Sequence, residues 1–377
     1  MRKSLALFIV SLFLNQACTR SSATVGNKDL DSTLNKAANT EHPIKPVFVT
    51  EQVAFDTDDP AIWINPANPA ESLVIGTDKD ENGGLYVFDL QGKIIKEKTV
   101  TGLKRPDNID IEYGLSIGGK LHDIAVTTER LTHKLRIYSL PDMKSIDNGG
   151  IPVFEGETGD MFRDLMGIAL YKDPVSNEIH AIVGRKSGPT DGRYLWQYKL
   201  EDNGKGAVKA TLIRKFGKYS GQKEIEAIAV DDELGFIYYS DEGIGVRKYY
   251  ADPSKGNDEL ALIGTSGFTQ DHEGISIYKA NDGTGYILVS DQQANQFFIY
   301  PREGVSGNPH DHPLLKVVKV SAQESDGSDI TNVSLNSEFK NGLFVVMSAD
   351  KTFHYYRWEN IAGKELRLSP NGVYKIN

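Results

Sequence analysis

The chain has 377 residues, 39% of them hydrophobic, which is enough to bury the core of one large domain or of two smaller ones. It carries 52 acidic and 42 basic residues, a formal net charge of -10 that argues against nucleic acid or an anionic membrane as the default partner. Cys18 is the single cysteine, so an intrachain disulfide is excluded.

The first residues show a pattern typical of export. Arg2 and Lys3 precede an apolar run from Leu5 to Leu14, and a small residue stands directly before Cys18. We interpret residues 1–18 as a signal peptide, either a plain one or a lipoprotein signal whose Cys18 carries a lipid anchor. The pattern predicts a bacterial protein that is exported: secreted, periplasmic or membrane-anchored as a lipoprotein. Residues 19–45 are polar and rich in Ser, Thr and Asn, which predicts a flexible linker before a domain over residues 46–377.

Six degenerate copies of one short segment follow, with their first residues 47 to 60 positions apart. The copies are DPAIWI (59–64), DNIDIE (107–112), MGIALY (166–171), EAIAVD (226–231), EGISIY (273–278) and TNVSLN (331–336). Two further runs rich in Val, Ile, Tyr and Phe follow each copy, separated by Gly, Asp and Asn turns, and a weaker fourth run follows several of them. This repeat predicts an all-β fold, a six-bladed β-propeller with four-stranded antiparallel blades. The segment PVFVTEQVAF (46–55) is expected to pair as the outer strand of the last blade and close the ring.

Acidic residues recur at one place in these repeats. In a propeller the first strand of each blade lines the central channel, and the loop leading into it shares a face with the loop joining strands two and three. The acids in or just before the first strands are Asp56, Asp58, Asp59, Asp107, Asp110, Asp164, Glu224, Glu226, Asp271, Glu273, Asp326 and Asp329. Any one of them could be a turn or capping residue, but their recurrence predicts one acidic mouth. Because neither cysteines nor clustered histidines accompany them, Ca²⁺ or Mg²⁺ is favoured over zinc as the compensating ion.

Basic residues recur in the loops between strands two and three. Lys79, Arg130 and Lys186 occupy equivalent positions in the first three repeats. They predict a basic half of the mouth that faces an acidic half formed by Glu226, Asp241, Glu242, Asp271 and Glu273. Basic side chains bind phosphate directly, whereas carboxylates do so only through a metal ion.

These residues lie in segments that resemble the bacterial β-propeller phytases. The segment at 56–93, DTDDPAIWINPANPAESLVIGTDKDENGGLYVFDLQGK, is similar to the first blade of that family. Further matches are DNIDIEYG, EAIAVDDELG followed by SDEG, DHEGISIY and DGSDITNVSLNSEFKNGLFV, and the similarity extends to WENIA at 358–362. The resemblance implies a 3-phytase-like phosphoric monoester hydrolase that holds several Ca²⁺ ions. It would convert phytate (myo-inositol hexakisphosphate) to lower inositol phosphates and inorganic phosphate through a metal-activated water.

The resemblance also implies roles for individual residues. Carboxylates that look like ligands of active-site calcium are Asp58, Glu226, Glu242, Asp271, Glu273 and Asp326. We take Glu226, Glu242, Asp271 and Glu273 as the catalytic set, and Lys79, Arg130 and Lys186 as the phosphate-binding cations. Asp59 and the segment 108–110, which ends in Asp110, resemble a calcium site that stabilises the fold, and Asp241 and Asp329 complete the predicted metal ligands. The chain departs from the family at Met166, where a tyrosine is usual, and at Ala227, where a glycine is usual.

Two other functions remain open at this point. Another six-bladed calcium hydrolase, such as a sugar lactonase, would explain the acids but gives no reason for three cations at one mouth. The second is a non-catalytic, surface-tethered propeller that binds a ligand. Its best support is Met166, which stands where the phytases usually have a tyrosine. In every case we expect a small-molecule partner, no nucleic acid and a monomer.

Overall fold

In a computed structural model of the protein, which describes residues 38–40 and 42–370, six sheets are arranged in a ring. The first strand of each sheet contacts the first strand of the next, and that of the sixth sheet contacts that of the first. From the axis outwards, the first three strands of each sheet follow chain order and are antiparallel, and short N-terminal strands lie at the outer edges of the last two sheets, one of them in parallel pairing. The predicted all-β, six-bladed propeller is therefore confirmed.

The strands are numbered along the chain and grouped by blade. Blade 1 contains β3 (Thr57–Trp63), β4 (Leu73–Asp78), β5 (Gly83–Phe88) and β6 (Val100–Leu103). Blade 2 contains β7 (Pro106–Ile117), β8 (Lys120–Glu129), β9 (Lys134–Leu140), β10 (Lys144–Ser145) and β11 (Ile151–Pro152). Blade 3 contains β12 (Leu165–Lys172), β13 (Ile179–Arg185), β14 (Leu195–Asp202) and β15 (Val208–Phe216).

The second half of the ring is built in the same way. Blade 4 contains β16 (Ile228–Asp231), β17 (Phe236–Asp241), β18 (Gly245–Tyr250) and β19 (Ala261–Ile263). Blade 5 contains β20 (His272–Lys279), β21 (Gly285–Asp291), β22 (Gln296–Pro301) and β23 (Lys316–Lys319), with β1 (Ala38–Asn39) at its edge. Blade 6 contains β24 (Ser328–Thr331), β25 (Leu343–Ser348), β26 (Thr352–Arg357) and β2 (Phe48–Val49). Among the described residues, one α-helix, α1 (Trp358–Ala362), follows β26, and the 3₁₀ turns are Pro69–Glu71, Lys96–Lys98, Arg130–Thr132, Pro253–Lys255 and Gln292–Ala294.

The N-terminal strand β2 closes the ring, as predicted. It pairs antiparallel with β26, and Phe48 lies opposite Tyr355. The amides of Val47 and Thr50 extend this pairing with hydrogen bonds to backbone carbonyls of β26, of 2.7 and 3.0 Å. Because the first and last segments of the domain share one sheet, the ring cannot open without breaking backbone hydrogen bonds.

The end of the predicted linker is also paired with the propeller. Strand β1 runs parallel to β23, and Ile44 exchanges backbone hydrogen bonds with Lys319 and Ser321. The predicted signal peptide with Cys18, and most of the predicted linker, lie outside the described residues, so the division into three segments stays a prediction. Within the described part of the chain, none of the helices is long and apolar enough to cross a membrane.

Apolar clusters fill the spaces between neighbouring blades. Each of the six clusters draws its buried side chains from two adjacent blades. The cluster between the last and first blades, for example, packs Phe353 and Leu343 against Ile62 and Val74, and all four are almost fully buried. Burial of one such side chain contributes about 1.5 to 3 kcal/mol, so the interface that closes the ring is as well packed as the others.

The inner strands share an irregularity that places the functional residues. In blades 1, 2, 3 and 5 two residues of the inner strand oppose a single residue of the second strand, which is a β-bulge. Blades 4 and 6 begin their inner strands directly after the same two positions, as the register of Ile228 and Ser328 shows. The first bulge residues, or their equivalents, are Asp58, Asp107, Met166, Glu226, Glu273 and Asp326.

This register corrects the sequence repeat in two blades. The alignment of the six segments placed Asp59 and Thr331 at the positions that Asp58 and Asp326 occupy. In blade 6 the alternating apolar pattern of TNVSLN does not mark the inner strand, because β24 ends at Thr331, the first residue of that segment. In blade 1 the bulge places two acids side by side, and the sequence alone does not show which of them faces the mouth.

Candidate active site

Backbone hydrogen bonds join the two sets of loops in four successive blades. In each, the residue directly after the second strand donates its amide to the loop leading into the first strand. The pairs are Lys79 to Asp56 (2.7 Å), Arg130 to Arg105 (2.9 Å), Lys186 to Asp164 (2.8 Å) and Glu242 to Glu224 (3.2 Å). Lys79, Arg130, Lys186 and Glu242 therefore lie around one mouth of the central channel.

Lys79 joins three blades across this mouth. Its Nζ contacts Asp58 and lies 3.2 Å from Asp326 Oδ2 and 3.9 Å from Glu226 Oε1. Burial alone would lower the pKa of Lys79, but Asp58, Glu226 and Asp326 together raise that pKa above its ordinary value. The lysine is therefore charged, and it holds carboxylates from blades 1, 4 and 6 together.

Glu226, Glu242 and Glu273 form a compact carboxylate cluster, called the glutamate cluster below. Each offers an oxygen that lies within 4.8 Å of the other two. The oxygens Glu226 Oε1, Glu242 Oε1 and Glu273 Oε2 are buried and have no hydrogen-bond partner among the described residues. Burial, and then the neighbouring carboxylates, raise the pKa of all three glutamates, that of Glu242 to about 8. Three buried glutamates this close together, each with an oxygen free of hydrogen bonds from the described residues, fit a hard divalent cation.

Two glutamines connect the remaining predicted ligands. Asp326 accepts a hydrogen bond from Gln292, and Asp271 accepts one of 2.9 Å from Gln293 Nε2. Gln293 Nε2 also donates to Gln292 Oε1 at 2.6 Å, so the two amides form a continuous bridge. The other oxygen of Asp271 contacts Lys223 Nζ. The side chains of both aspartates are thus oriented by neighbours on the same face.

Neither glutamine was predicted, nor was Lys223. Gln292 directly follows the second strand of blade 5, the position that carries Lys79 in blade 1 and Glu242 in blade 4. The repeat could therefore have identified Gln292. Gln293 and Lys223 lie outside the two repeated positions that carry most of the predicted site, and their contacts depend on the conformations of individual loops.

The other two predicted cations are paired with acids of the predicted mouth that are not among the predicted metal ligands. Arg130 Nε donates to Asp107 Oδ2 at 2.6 Å, and Lys186 Nζ donates to Glu224 Oε2 at 2.6 Å. Met166 is buried, and its sulfur contacts the Arg130 guanidinium. The residue that replaces the usual tyrosine therefore packs against a predicted phosphate-binding cation.

Three predicted metal ligands lie in the channel instead of at the mouth. Each accepts a hydrogen bond from the inner strand of the next blade: Asp59 from Ile109 N (3.1 Å), Asp110 from Leu170 N (2.6 Å) and Asp329 from Ile62 N (2.8 Å). All three line a cavity of about 970 Å³ along the axis. Burial raises the pKa of Asp59 well above its ordinary range, that of Asp110 to about 7 and that of Asp329 to about 6.

The structure separates these channel acids from the glutamate cluster. Asn108 lines the same cavity, and its Oδ1 is buried without a hydrogen-bond partner in the described residues. A cation-binding role for Asp59 and Asp110 beside it stays a prediction. The hydrogen bonds give these acids a structural role that needs no ion, because each one ties two blades together.

Asp241 is the one predicted ligand that points away from both groups. It accepts hydrogen bonds from the amide and hydroxyl of Ser220 (2.9 and 2.6 Å) and from Arg247 Nε (2.8 Å). Asp78 and Asp291 end the second strands of blades 1 and 5 and also accept amide hydrogen bonds from the loop before their first strand. Asp241 therefore fixes the leading loop of blade 4, and the structure does not bring it into the glutamate cluster.

Comparison with known proteins agrees with this arrangement. A sequence model of the phytase family matches residues 3–363. The chain belongs to the phytase family. A phytase relative, the 3-phytase of Bacillus subtilis (strain 168), is 28% identical over 347 residues, which cover 86% of each chain.

Two solved structures share only a coarse likeness with this phytase. A chain of the mitotic checkpoint complex has a TM-score of 0.46 at 10% identity, covering 94% of this chain and 98% of its own. The Dos1 propeller has a TM-score of 0.42 at 10% identity, covering 85% of this chain and 71% of its own. Neither likeness bears on function. Membership of the phytase family does bear on function, because it makes the protein a phosphoric monoester hydrolase. Neither a sugar lactonase nor a non-catalytic propeller is then needed to explain the charged residues at the mouth.

Proposed function

We propose that this phytase-family enzyme hydrolyses phytate in a calcium-dependent reaction, yielding lower inositol phosphates and inorganic phosphate. The observation that carries the calcium part is the glutamate cluster, in which each glutamate offers an oxygen within 4.8 Å of the other two and each has a buried oxygen without a hydrogen-bond partner in the described residues. Buried charges of like sign are stable only when compensated, by protons or by a cation.

The residues at the mouth fit a hard cation such as calcium better than they fit zinc. Glu226, Glu242 and Glu273 would hold the ion, and Asp58, Asp271 and Asp326 lie in the same hydrogen-bonded network. This donor set is all oxygen, which suits Ca²⁺ or Mg²⁺ and disfavours zinc. When bound, calcium would neutralise phosphate charge and lower the pKa of a coordinated water.

The basic half supplies the contacts to phosphate. Lys79, Arg130 and Lys186 each hold an acid in the described structure. A phosphate group offers the same kind of oxygen acceptor with more charge, so each cation could contact a substrate phosphate while it stays close to its carboxylate partner. Arg130 and Lys79 are largely buried, which strengthens their interaction with an anion compared with fully exposed side chains.

Protonation links the two halves. At neutral pH the raised pKa of Glu242 keeps much of its carboxyl protonated without metal. Calcium binding must therefore release protons from the cluster. An acidic enzyme can then bind a polyanion, because its negative half is neutralised before the phosphate arrives.

The first test is phosphate release from calcium phytate by the full chain at pH 7.5, with EGTA as the control. We expect release in calcium, none in EGTA, and a loss of at least 100-fold in kcat for Glu226→Gln. Glu81→Gln, which removes an exposed carboxylate from a loop of blade 1, is the matched variant and should behave as wild type. No release by a folded, calcium-saturated protein would contradict the proposal.

We also propose export, supported by the pattern of residues 1–18 alone, and a monomeric state. Cells that express wild type or Cys18→Ser would be labelled with a palmitate analogue. Label on wild type only would establish the lipoprotein form, and unlabelled protein outside the cytoplasm would establish a plain signal peptide. Retention of the whole protein in the cytoplasm would contradict export, and light scattering of the purified protein would decide its oligomeric state.

A further inference from the structure

Lys223 is a fourth cation at the mouth, on its acidic side. It lies in the loop before β16, and its Nζ contacts Asp271. The side chain is 43% exposed, whereas those of Lys79 and Arg130 are 14% and 7% exposed. The hydroxyl of Tyr219 donates to the Lys223 carbonyl, which holds the backbone of this loop in place. Lys223 is thus a rim residue with a fixed base and an accessible side chain.

Asp271 does not depend on Lys223 for its orientation. Gln293 Nε2 donates to one Asp271 oxygen at 2.9 Å, and Gln293 Oε1 accepts the Asp271 amide at 3.1 Å. The two-point contact with Gln293 fixes both the backbone and the carboxylate. Loss of the lysine would therefore remove a charge beside Asp271 without releasing the aspartate.

Lys223 lies close to the carboxylates that would hold a metal ion. Besides Asp271, Glu242 and Glu273 of the glutamate cluster act electrostatically on its ammonium. A divalent cation held by those glutamates would repel it, and the flexible four-carbon stem of lysine allows the ammonium to move. Lys79 has no such freedom, because Asp58, Asp326 and Glu226 surround it.

We propose that Lys223 is a displaceable counter-ion of the acidic half. It neutralises Asp271 while the glutamate cluster lacks a metal ion, moves away when the ion binds, and then contacts a phosphate group of the substrate. The competition with the ion rests on the metal site proposed at the glutamate cluster, and the phosphate contact rests on the proposed hydrolysis of phytate.

The first experiment measures Ca²⁺ binding to the full chain by isothermal titration calorimetry at pH 7.5 without substrate. Partly exposed ion pairs are worth up to about 1 kcal/mol, so Lys223→Gln should bind Ca²⁺ about three- to fivefold more tightly than wild type. Lys218→Gln is the matched control: Lys218 belongs to the same loop, is 60% exposed and lies 3.2 Å from Glu259. It loses the same charge and should keep the wild-type affinity, and Lys223→Arg should keep it as well.

The second experiment uses myo-inositol hexasulfate, a polyanion without hydrolysable phosphate, at saturating Ca²⁺. We expect Lys223→Gln to bind it about three- to tenfold more weakly and to raise KM for phytate by a similar factor, with kcat within twofold of wild type. Lys218→Gln should change neither value.

The outcomes separate the parts of the proposal. Unchanged Ca²⁺ affinity in Lys223→Gln would overturn the competition, and unchanged hexasulfate affinity and KM would overturn the phosphate contact. If wild type released no phosphate from phytate, the proposed function would fail, while the calorimetric titration of Ca²⁺ would still decide the competition.

Discussion

Replacing one glutamate of the cluster should stabilise the metal-free protein and weaken its response to calcium. Two unit charges 4.8 Å apart repel by about 3.5 kcal/mol at an effective dielectric constant near 20. Glu273 has two such neighbours, which gives about 7 kcal/mol if all three were charged. Protonating one carboxyl of ordinary pKa at pH 7.5 costs only about 4 kcal/mol, so the cluster takes up a proton instead. This agrees with the raised pKa of Glu242 and Glu273.

The substitution Glu273→Gln removes that proton-uptake cost. A carboxyl whose pKa is raised in the folded state holds a proton that the unfolded chain loses, so metal-free stability falls as pH rises from about 4.5 to about 8. The stability of the Glu273→Gln variant should fall less over the same pH range. In EGTA at pH 7.5 it should gain about 1 to 4 kcal/mol, or roughly 1.5 to 6 °C in Tm for a domain of this size. At pH 5, where wild type is already protonated, the two should melt together.

Differential scanning calorimetry of both proteins, at both pH values, with EGTA or excess calcium, is the assay. Calcium should raise Tm of wild type by more than that of the variant, because the variant has lost one ligand. Glu81→Gln serves as the control for removal of an exposed carboxylate. If Glu273→Gln melted below wild type in EGTA at pH 7.5, repulsion within the cluster would not limit the stability of the metal-free state, and the reasoning would be wrong.

Further predictions concern single residues of the site and its support. Glu226→Gln should lower kcat for phytate at least 100-fold without changing the circular dichroism spectrum. Lys79→Ala should raise KM for phytate about tenfold or more and lower Tm in EGTA, because it leaves buried carboxylates without their cation. Calcium affinity measured by calorimetry should rise with pH and level off near pH 8, where Glu242 loses its proton. Gly167→Ala should destabilise the fold by more than about 3 kcal/mol, as measured by denaturant unfolding, because its Cβ would overlap the carbonyl oxygen of Glu226.

Each of these predictions has a contradicting result. Wild-type turnover by Glu226→Gln would remove that residue from the site, and an unchanged KM in Lys79→Ala would remove the phosphate contact. Calcium affinity independent of pH between 6 and 8 would mean that the cluster is not protonated. Normal stability of Gly167→Ala would show that the inner strands of blades 3 and 4 can separate without cost.

The fold was predictable because the propeller repeats its elements. Each blade is a local meander, so its strands appear in the sequence as neighbouring apolar runs, and even the closure by residues 46–55 followed from an unpaired strand before the first repeat. The register was less predictable. A bulge breaks the alternation of side chains along a strand, so the neighbours Asp58 and Asp59 reach different environments, the mouth and the channel.

The site was predictable where it follows the repeat. Lys79, Glu242 and Glu273 occupy repeated positions, and the structure places them at one mouth. Asp241 also occupies a repeated position, but one whose side chain bonds the leading loop of its own blade. In blade 4 the neighbours Asp241 and Glu242 are both acidic. Only the structure therefore separates the residue at the mouth, Glu242, from the residue that anchors the loop, Asp241. Lys223 shows the opposite case, because it contacts Asp271 at the mouth without occupying either of the repeated positions.

Two rings of equivalent positions explain why the mouth divides into halves. The position after the second strand carries, from blade 1 to blade 6, Lys79, Arg130, Lys186, Glu242, Gln292 and Ala349. The bulge position carries Asp58, Asp107, Met166, Glu226, Glu273 and Asp326.

The charges of the two rings cancel only on one side. In blades 1 and 2 the cation of the first ring pairs with the bulge acid of its own blade. Blade 3 has the cation Lys186 in the first ring but the uncharged Met166 at its bulge position. Blades 4, 5 and 6 have acids at the bulge position and no cation in the first ring. Negative charge therefore collects where Glu226, Glu242 and Glu273 meet, next to a basic arc. A divalent cation at the glutamate cluster would neutralise the acidic half, and a phosphate anion at Lys79, Arg130 and Lys186 would neutralise the basic half. Metal-assisted phosphate hydrolysis requires these two ions to lie side by side.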